Sequence, residues 1–318
     1  MFVSYNLDFF GRELQKIRKS LGLTQADVQK MAGICIDTIR KVESGRVIPR
    51  YDTLELLSVA YRQDLLELLK KSRVNKLLLE FHDDLDYLIS CYDKKISNSL
   101  RARLRENYAG GVQSSMVNPN ELKQFLIFVD ATDAYFSDFT LDRDKTKNDL
   151  ISALKLTIPG YDFRDYRRYT YSYIEFRILL FISLFIAKEG EYSFSNKILF
   201  FILHTIKAGK HYTKYIDFLT AHIHFNIAYN FHMLDKHAKV IEAADSGIDH
   251  CIKSRTFIAL FSLYYRKGIA QYHLKDEGYR DTLAIAFYTL KAVRIPKLLN
   301  QYQEITEKKY GITVPLIK

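Results

Sequence analysis

The segment Ile36-Asp37-Thr38-Ile39-Arg40-Lys41 gathers side chains that can read base pairs. A guanidinium such as that of Arg40 can pair twice with guanine. A carboxylate such as Asp37 can accept from cytosine, and the methyl groups of Ile36 and Thr38 can meet the methyl of thymine. On a helix, Asp37, Arg40 and Lys41 stand at i, i+3 and i+4 and share one face. Ile39 and Val42 are assigned to the core, and Glu43 reads as a structural hydrogen-bond partner rather than a base reader. Arg46 and Arg50 follow, where cations can meet phosphate oxygens. A plainer chemistry is open to the same residues: Asp37 and Lys41, four apart, can simply pair on a solvated face.

Such a segment works only if short helices hold it. A stripe of Phe10, Leu14, Ile17 and Leu21 predicts a first helix over about Leu7 to Leu21, stopped by Gly22. Thr24 and Asp27 have the spacing of a capping box and open the second helix. Gly33 breaks the chain after Ala32, and a third helix runs from about Cys35 to Ser44, stopped by Gly45. Pro49 and Asp52 precede a fourth helix carrying Leu54, Leu57 and Val59; a fifth covers about Leu65 to Lys71. Two short helices across a tight glycine turn form a helix-turn-helix unit, whose second helix lies in the major groove.

From Leu14 to Pro49 the residues Ile17-Arg18, Leu21-Gly22-Leu23-Thr24-Gln25, Val28, Ala32-Gly33-Ile34, Thr38-Ile39, Lys41-Val42-Glu43 and Gly45 keep a fixed spacing. This stretch resembles the Cro/C1-type, or XRE-type, DNA-binding domains. The resemblance implies a five-helix domain over residues 1–70 that binds double-stranded DNA, and it makes Gln25 a phosphate or base contact. The chain departs from that pattern at Cys35, where the family usually has Ser or Thr. A thiol caps a helix poorly, so packing has to hold the third helix. Residues 1–74 carry 13 Lys/Arg against 9 Asp/Glu, a balance that suits phosphate attraction.

Composition excludes several classes. The 318 residues are 48% hydrophobic and 26% charged, with a formal net charge of +10, which is the balance of a folded chain rather than a disordered one. With 5 Pro and 13 Gly there are too few turn formers for an all-β protein. Cys35, Cys91 and Cys251 are odd in number and far apart, which argues against a disulfide framework or a CxxC metal site and fits a reducing compartment. No signal-peptide pattern is read at the N-terminus. The most apolar run, Ile178 to Ala187, is about half the ~20 residues a membrane span needs. A cytoplasmic location and no membrane partner are expected. Eight of the nine histidines fall between His204 and His273, yet His222 and His224 point to different helix faces and no zinc motif occurs. No nucleotide-binding loop or nucleophile elbow is found. Neither metal, cofactor nor enzymatic activity is expected.

Leu77, Leu78, Phe81, Leu85, Leu88 and Ile89 make Val74 to Tyr92 one amphipathic helix, a linker over residues 71–92 or a dimer contact. Residues 93–318 then break into eight to ten helices at turn signals such as Gly110-Gly111, Pro159-Gly160 and Glu189-Gly190. At an offset of 40, Ile223-x-Phe225 aligns with Leu263-x-Tyr265, Ala228 with Gly268 and Leu234 with Leu274. This resembles a tetratricopeptide helix pair, with a longer period and Lys267 where Leu is usual. The fold class is therefore all-α: a five-helix DNA-binding head followed by a TPR-like helical-repeat superhelix. Stacked helix pairs offer a concave face, and a groove for an extended peptide needs side chains that donate and accept, as Asn does. His222, Asn226 and Asn230 run at i, i+4, i+8 beside a core stripe of Ile223, Ile227, Phe231 and Leu234. Forty residues on, Ser262 and Arg266 take the matching places, and Arg266 can hold a carboxylate. As ordinary solvated residues these would need no ligand.

This head on this body resembles the RRNPP family, the Rgg, PlcR, NprR and PrgX group of peptide-sensing regulators from Gram-positive bacteria and their phages. The resemblance implies a homodimeric transcription factor whose groove binds a short signalling peptide, and it assigns to Asn226 the clamping of peptide backbone. The alternative is a DNA-binding scaffold whose body docks a protein partner or a non-peptide ligand.

Overall fold

Thr24 and Asp27 close the expected capping box: the Asp27 amide donates to Thr24 Oγ1 at 3.1 Å and the Thr24 amide to Asp27 Oδ2 at 2.9 Å. Gly33, at φ 69°, ends that helix in the left-handed region, where a side chain would be strained. The computed structural model describes residues 7–71, 83–86, 88–89, 94–109, 118–137, 142–209, 214–257 and 259–315. Among these there is no strand. The chain forms two compact units, the first reaching to Asp84 and taking in Asn118, the second formed by Leu85 to Ala109 and the chain from Pro119 on.

The first unit has α1 (Leu7–Ser20), α2 (Gln25–Ala32), α3 (Ile36–Glu43), α4 (Tyr51–Tyr61) and α5 (Leu65–Lys71). α1 packs on α3 and α4, α2 packs on α3 and α4, and α5 closes on α4. Phe10, Leu14, Val28, Ile39, Val42, Leu54, Leu57, Tyr61 and Leu65 form one core. Two expectations need correction. α1 ends at Ser20, so Leu21 lies in the turn and is exposed. Val59 points to solvent at 71% exposure, and Ala60 and Tyr61 take its place in the core.

The second unit begins with helical residues at 85–86 and 88–89, of which Leu85, Leu88 and Ile89 are buried. The rest of the expected linker helix, with Cys91, lies outside the described residues, as does Gly110-Gly111. There follow α6 (Lys94–Ala109), α7 (Pro119–Ser137), α8 (Arg143–Lys155), a 3-10 turn (Phe163–Arg168), α9 (Tyr173–Lys188), α10 (Tyr192–Ala208), α11 (Lys214–Met233), α12 (His237–Ser254), α13 (Leu260–His273), α14 (Tyr279–Ala292) and α15 (Pro296–Tyr310). Each helix from α6 to α15 packs on the next. In addition α7 touches α9, α9 touches α11, and α11 touches α13. Alternate helices in contact define an inner layer, with α8, α10, α12 and α14 behind it, which is how helix-pair repeats stack.

The offset-40 repeat is visible in three dimensions. Ile223 and Leu263 are fully buried on α11 and α13, and Ala228 and Gly268 are the small residues where a partner helix comes close. A Cβ on Gly268 would lie 2.8 Å from the Leu283 side chain. The apolar run Ile178 to Ala187 lies on α9, which α7, α8, α10 and α11 all contact, so its apolarity serves packing. Among the described residues no helix is long and apolar enough to cross a membrane.

Candidate DNA-binding face and ligand cavity

Amphipathicity decides what α3 shows. Ile39, Val42 and Glu43 are buried, Ile36 and Thr38 are half-buried, and Asp37, Arg40 and Lys41 are exposed, as are Arg46 in the turn beyond and Arg50 at the start of α4. The candidate reading residues therefore stand together on an open face. Lys41 Nζ lies 2.7 Å from Asp37 Oδ2 with both side chains largely in water. The Lys41 hydrogen bond holds the Asp37 carboxyl below its ordinary range. Exposed pairs of this kind are weak and open readily, so pairing in the free chain is compatible with base or phosphate contact.

Beneath that face Glu43 organises the unit. Its carboxylate accepts from Arg18 Nε at 2.6 Å and Nη2 at 3.0 Å, from Gln25 Nε2 at 2.9 Å and from the Tyr61 hydroxyl at 2.7 Å. Burial pushes the Glu43 carboxyl up, but these hydrogen bonds and the Arg18 charge outweigh it, and the group sits below its ordinary value. Gln25 is thus committed at its amide nitrogen to Glu43, which fixes the side chain at the first turn of α2. Arg18 and Tyr61 were not singled out from the sequence. A buried acid at the end of a short amphipathic helix was the available signal that such partners exist.

Cys35 is the N-cap of α3 and makes no capping hydrogen bond; its Sγ lies 3.1 Å from Thr38 Oγ1. A serine oxygen at this position would accept an orphan amide of the first turn. Cys35→Ser should stabilise the first unit by about 0.5–1 kcal/mol, raising its midpoint in a thermal melt by roughly 3–6 °C. A lower midpoint would show that the thiol's packing outweighs the missing cap.

In the second unit, α7, α9, α11 and Ile89 enclose a cavity of about 90 Å³ that is partly open to solvent. Its walls are chiefly Tyr135, Phe136, Leu180, Phe181, Phe218 and Phe225, and Arg177, His222 and Asn226 line it as well. His222 packs its ring 4.3 Å from that of Phe218, and its Nε2 is buried without a hydrogen-bond partner. Burial, helped by the Arg177 charge, pushes this imidazole down to about 4. Asn226 donates to the His222 carbonyl at 2.8 Å and lines the same cavity.

The other expected groove residues are placed differently. Asn230 is 1% exposed, and its amide donates to Ser195 Oγ and Asn196 Oδ1 on α10, each at 2.9 Å, so it belongs to the helix seam and not to a groove. Helix geometry explains this: each four-residue step adds about 40°, so by the third member the stripe has turned about 80° toward the neighbouring helix. Ser262 is also buried, and its hydroxyl donates to the Ala259 carbonyl at 2.7 Å in the first turn of α13, the local bond that serine often makes. Arg266 is half-buried with its guanidinium 5.2 Å from the Phe225 ring and 4.8 Å from the Tyr229 ring. Its Nε is buried without a hydrogen-bond partner. It stands between α11 and α13, beside the cavity's Phe225.

Sequence reasoning missed Arg177. Its signal was a lone cation followed by ten uncharged residues on α9. It is 2% exposed, and its Nη2 lies 2.8 Å from Asp86 Oδ1. Several histidines do cluster: His237 and His273 stack at 4.3 Å, and His232 lies 5.5 Å from each. Among the described residues no three His, Cys, Asp or Glu are placed to hold a metal ion.

An exposed helix in a five-helix unit, and in the second unit stacked helix pairs around a cavity, define an all-α chain with a helix-turn-helix head and a helical-repeat body. Comparison with known proteins agrees. Residues 14–68 match the helix-turn-helix family HTH_3. The fold is similar to that of Bacillus thuringiensis PlcR in complex with the peptide PapR7 and DNA, at TM-score 0.64 and 17% identity, covering 93% of this chain and 99% of that one. It is also similar to ComR from S. thermophilus in complex with DNA and its signalling peptide ComS, at TM-score 0.60 and 13% identity, covering 95% and 100%. The SHP pheromone receptor Rgg2 of Streptococcus dysgalactiae aligns at TM-score 0.57 and 11% identity, covering 94% and 99%. A comparison with curated proteins gives no match.

Proposed function

We propose that this chain is a transcription regulator that binds an operator through α3 and is controlled by a short signalling peptide bound on the inner layer of its helical body. The observation that carries the reading is the open face of Asp37, Arg40 and Lys41, in a unit that matches the helix-turn-helix family, on a chain whose length folds like PlcR and ComR. The relatives were crystallised with DNA and peptide, and here His222 and Asn226 meet at a cavity between inner helices. Such a regulator acts as a homodimer, whose two readers meet two half-sites, in the cytoplasm, and it performs no catalysis.

Operator contact is tested by footprinting. Arg40→Ala and Thr38→Ala should abolish discrimination between operator and random DNA while leaving the thermal melt in place, since Arg40 is exposed and Thr38 only half-buried. A lost bidentate contact corresponds to about 1–3 kcal/mol of selectivity. Affinity of the unmodified chain should fall steeply as salt rises. An unchanged footprint, or a flat salt series, would remove α3 as the reader. For the ligand, the purified chain is titrated with C-terminal peptides encoded by small reading frames beside its gene. Heat release and a shift in operator affinity are expected. Neither would occur in a scaffold that docks a protein.

A further inference from the structure

We propose that the cavity among α7, α9 and α11 seats one phenolic side chain of the ligand, with its hydroxyl on His222 Nε2. This rests on the ligand-controlled reading above and adds the side-chain chemistry that the site selects.

Three observations carry it. The first is size. The cavity's ~90 Å³ is of the same order as the roughly 150 Å³ that holds one benzene in an enclosed apolar cavity, and because it is partly open it takes a single ring whose far edge points outward. The second is the wall. Tyr135, Phe136, Phe181, Phe218 and Phe225 make it largely aromatic, and among aromatic walls a flat aromatic guest can gain edge-to-face contacts that an aliphatic one does not.

The third is the orphaned nitrogen. His222 lines the cavity and its Nε2 is buried with no partner; a small turn of the ring brings that atom to a guest, which removes the standing cost of an unmet buried polar atom. The ring is neutral at physiological pH because burial and Arg177 hold it down to about 4. A neutral imidazole nitrogen either gives or takes a hydrogen bond according to tautomer. A phenol hydroxyl satisfies both cases, whereas an indole N–H or a carbonyl satisfies one. The nearby Arg177 cation already has a carboxylate, Asp86, at 2.8 Å, so the site does not call for an acidic guest.

The full chain is titrated by calorimetry with p-cresol and with toluene, which differ only in the hydroxyl. Both are expected to bind, p-cresol about three- to tenfold tighter, the span of one net hydrogen bond. His222→Phe should erase that preference while keeping toluene binding, and His222→Gln, which retains a polar tip, should restore part of it. Leu184→Trp, which places an indole at the cavity wall, should block both probes and keeps the test decisive if His222→Phe fails to fold. Toluene binding as tightly as p-cresol, a preference that survives His222→Phe, or no binding of either probe at millimolar concentration would each overturn the proposal. A chain that answers peptides on its operator but shows no preference between the probes loses the phenol seat alone. One that prefers p-cresol but ignores every peptide loses the regulatory reading alone.

Discussion

Glu43→Ala should unfold the first unit or bring it close to unfolding. The carboxylate is buried and bonded to Arg18, Gln25 and Tyr61, residues from α1, α2 and α4. Removing it strands the Arg18 guanidinium, whose side chain is only 12% exposed. Losing one partner of a buried ion pair costs about 3–5 kcal/mol, much of what a small unit has in total at about 5–15 kcal/mol. Urea unfolding followed by circular dichroism measures it, and operator binding should be lost in parallel because α3 loses its anchor. A change below about 1 kcal/mol would mean that Arg18 is satisfied without Glu43. The sign of the pH dependence follows. The native carboxyl lies below its ordinary 4.5, so its contribution is complete above that value and is lost as pH falls through the lower native one. The unmodified unit should therefore lose stability on acidification more steeply than Glu43→Gln does.

Asp86→Ala should destabilise the second unit by about 3 kcal/mol or more, and Arg177→Met should reverse most of the loss. Arg177 is 3% exposed at its side chain and Asp86 16%, so the cation has little water to turn to. It also donates to the Tyr173 hydroxyl at 3.2 Å and lies over the faces of Phe128 and Tyr173, at 5.6 and 5.4 Å. These do not neutralise a charge. An apolar side chain of similar length in the same place needs no counterion, and buried pairs replaced this way are often neutral or more stable. The cycle of two single variants and the double variant gives the coupling directly. Equal losses in Asp86→Ala and in the double variant would show that Asp86 acts through something other than Arg177.

The head was legible because local rules set it. Thr24 with Asp27, Gly33, and the spacing of Ile39 and Val42 fix helix ends and faces within a few residues of sequence. What failed there failed at edges: Leu21 fell one residue past the end of α1, and on α4 the core took Ala60 and Tyr61 rather than Val59. In the body, the offset-40 match found the equivalent buried positions of α11 and α13. It could not say which neighbour each remaining face meets. Asn226 and His222 reach the cavity, while Asn230, one turn on, meets α10. Apart from Phe218, Leu219 and Phe225 on the same helix, the rest of the cavity comes from α7, α9 and Ile89, up to 137 positions from Asn226 in sequence. No periodicity within one helix reports a partner so distant, and Asp86 with Arg177 is a pairing of the same long-range kind.

The seam that holds Asn230 has a consequence for α11 as a whole. Three buried polar side chains, Asn230, Ser195 and Asn196, meet in the boundary between α10 and α11. Rolling α11 about its axis, or slipping it by a turn, would leave all three stranded, so the seam works as a key in a lock. Asn226 and His222 ride on the same rigid rod, about 6 and 12 Å along it. Their azimuth is thereby dictated from outside the cavity lining.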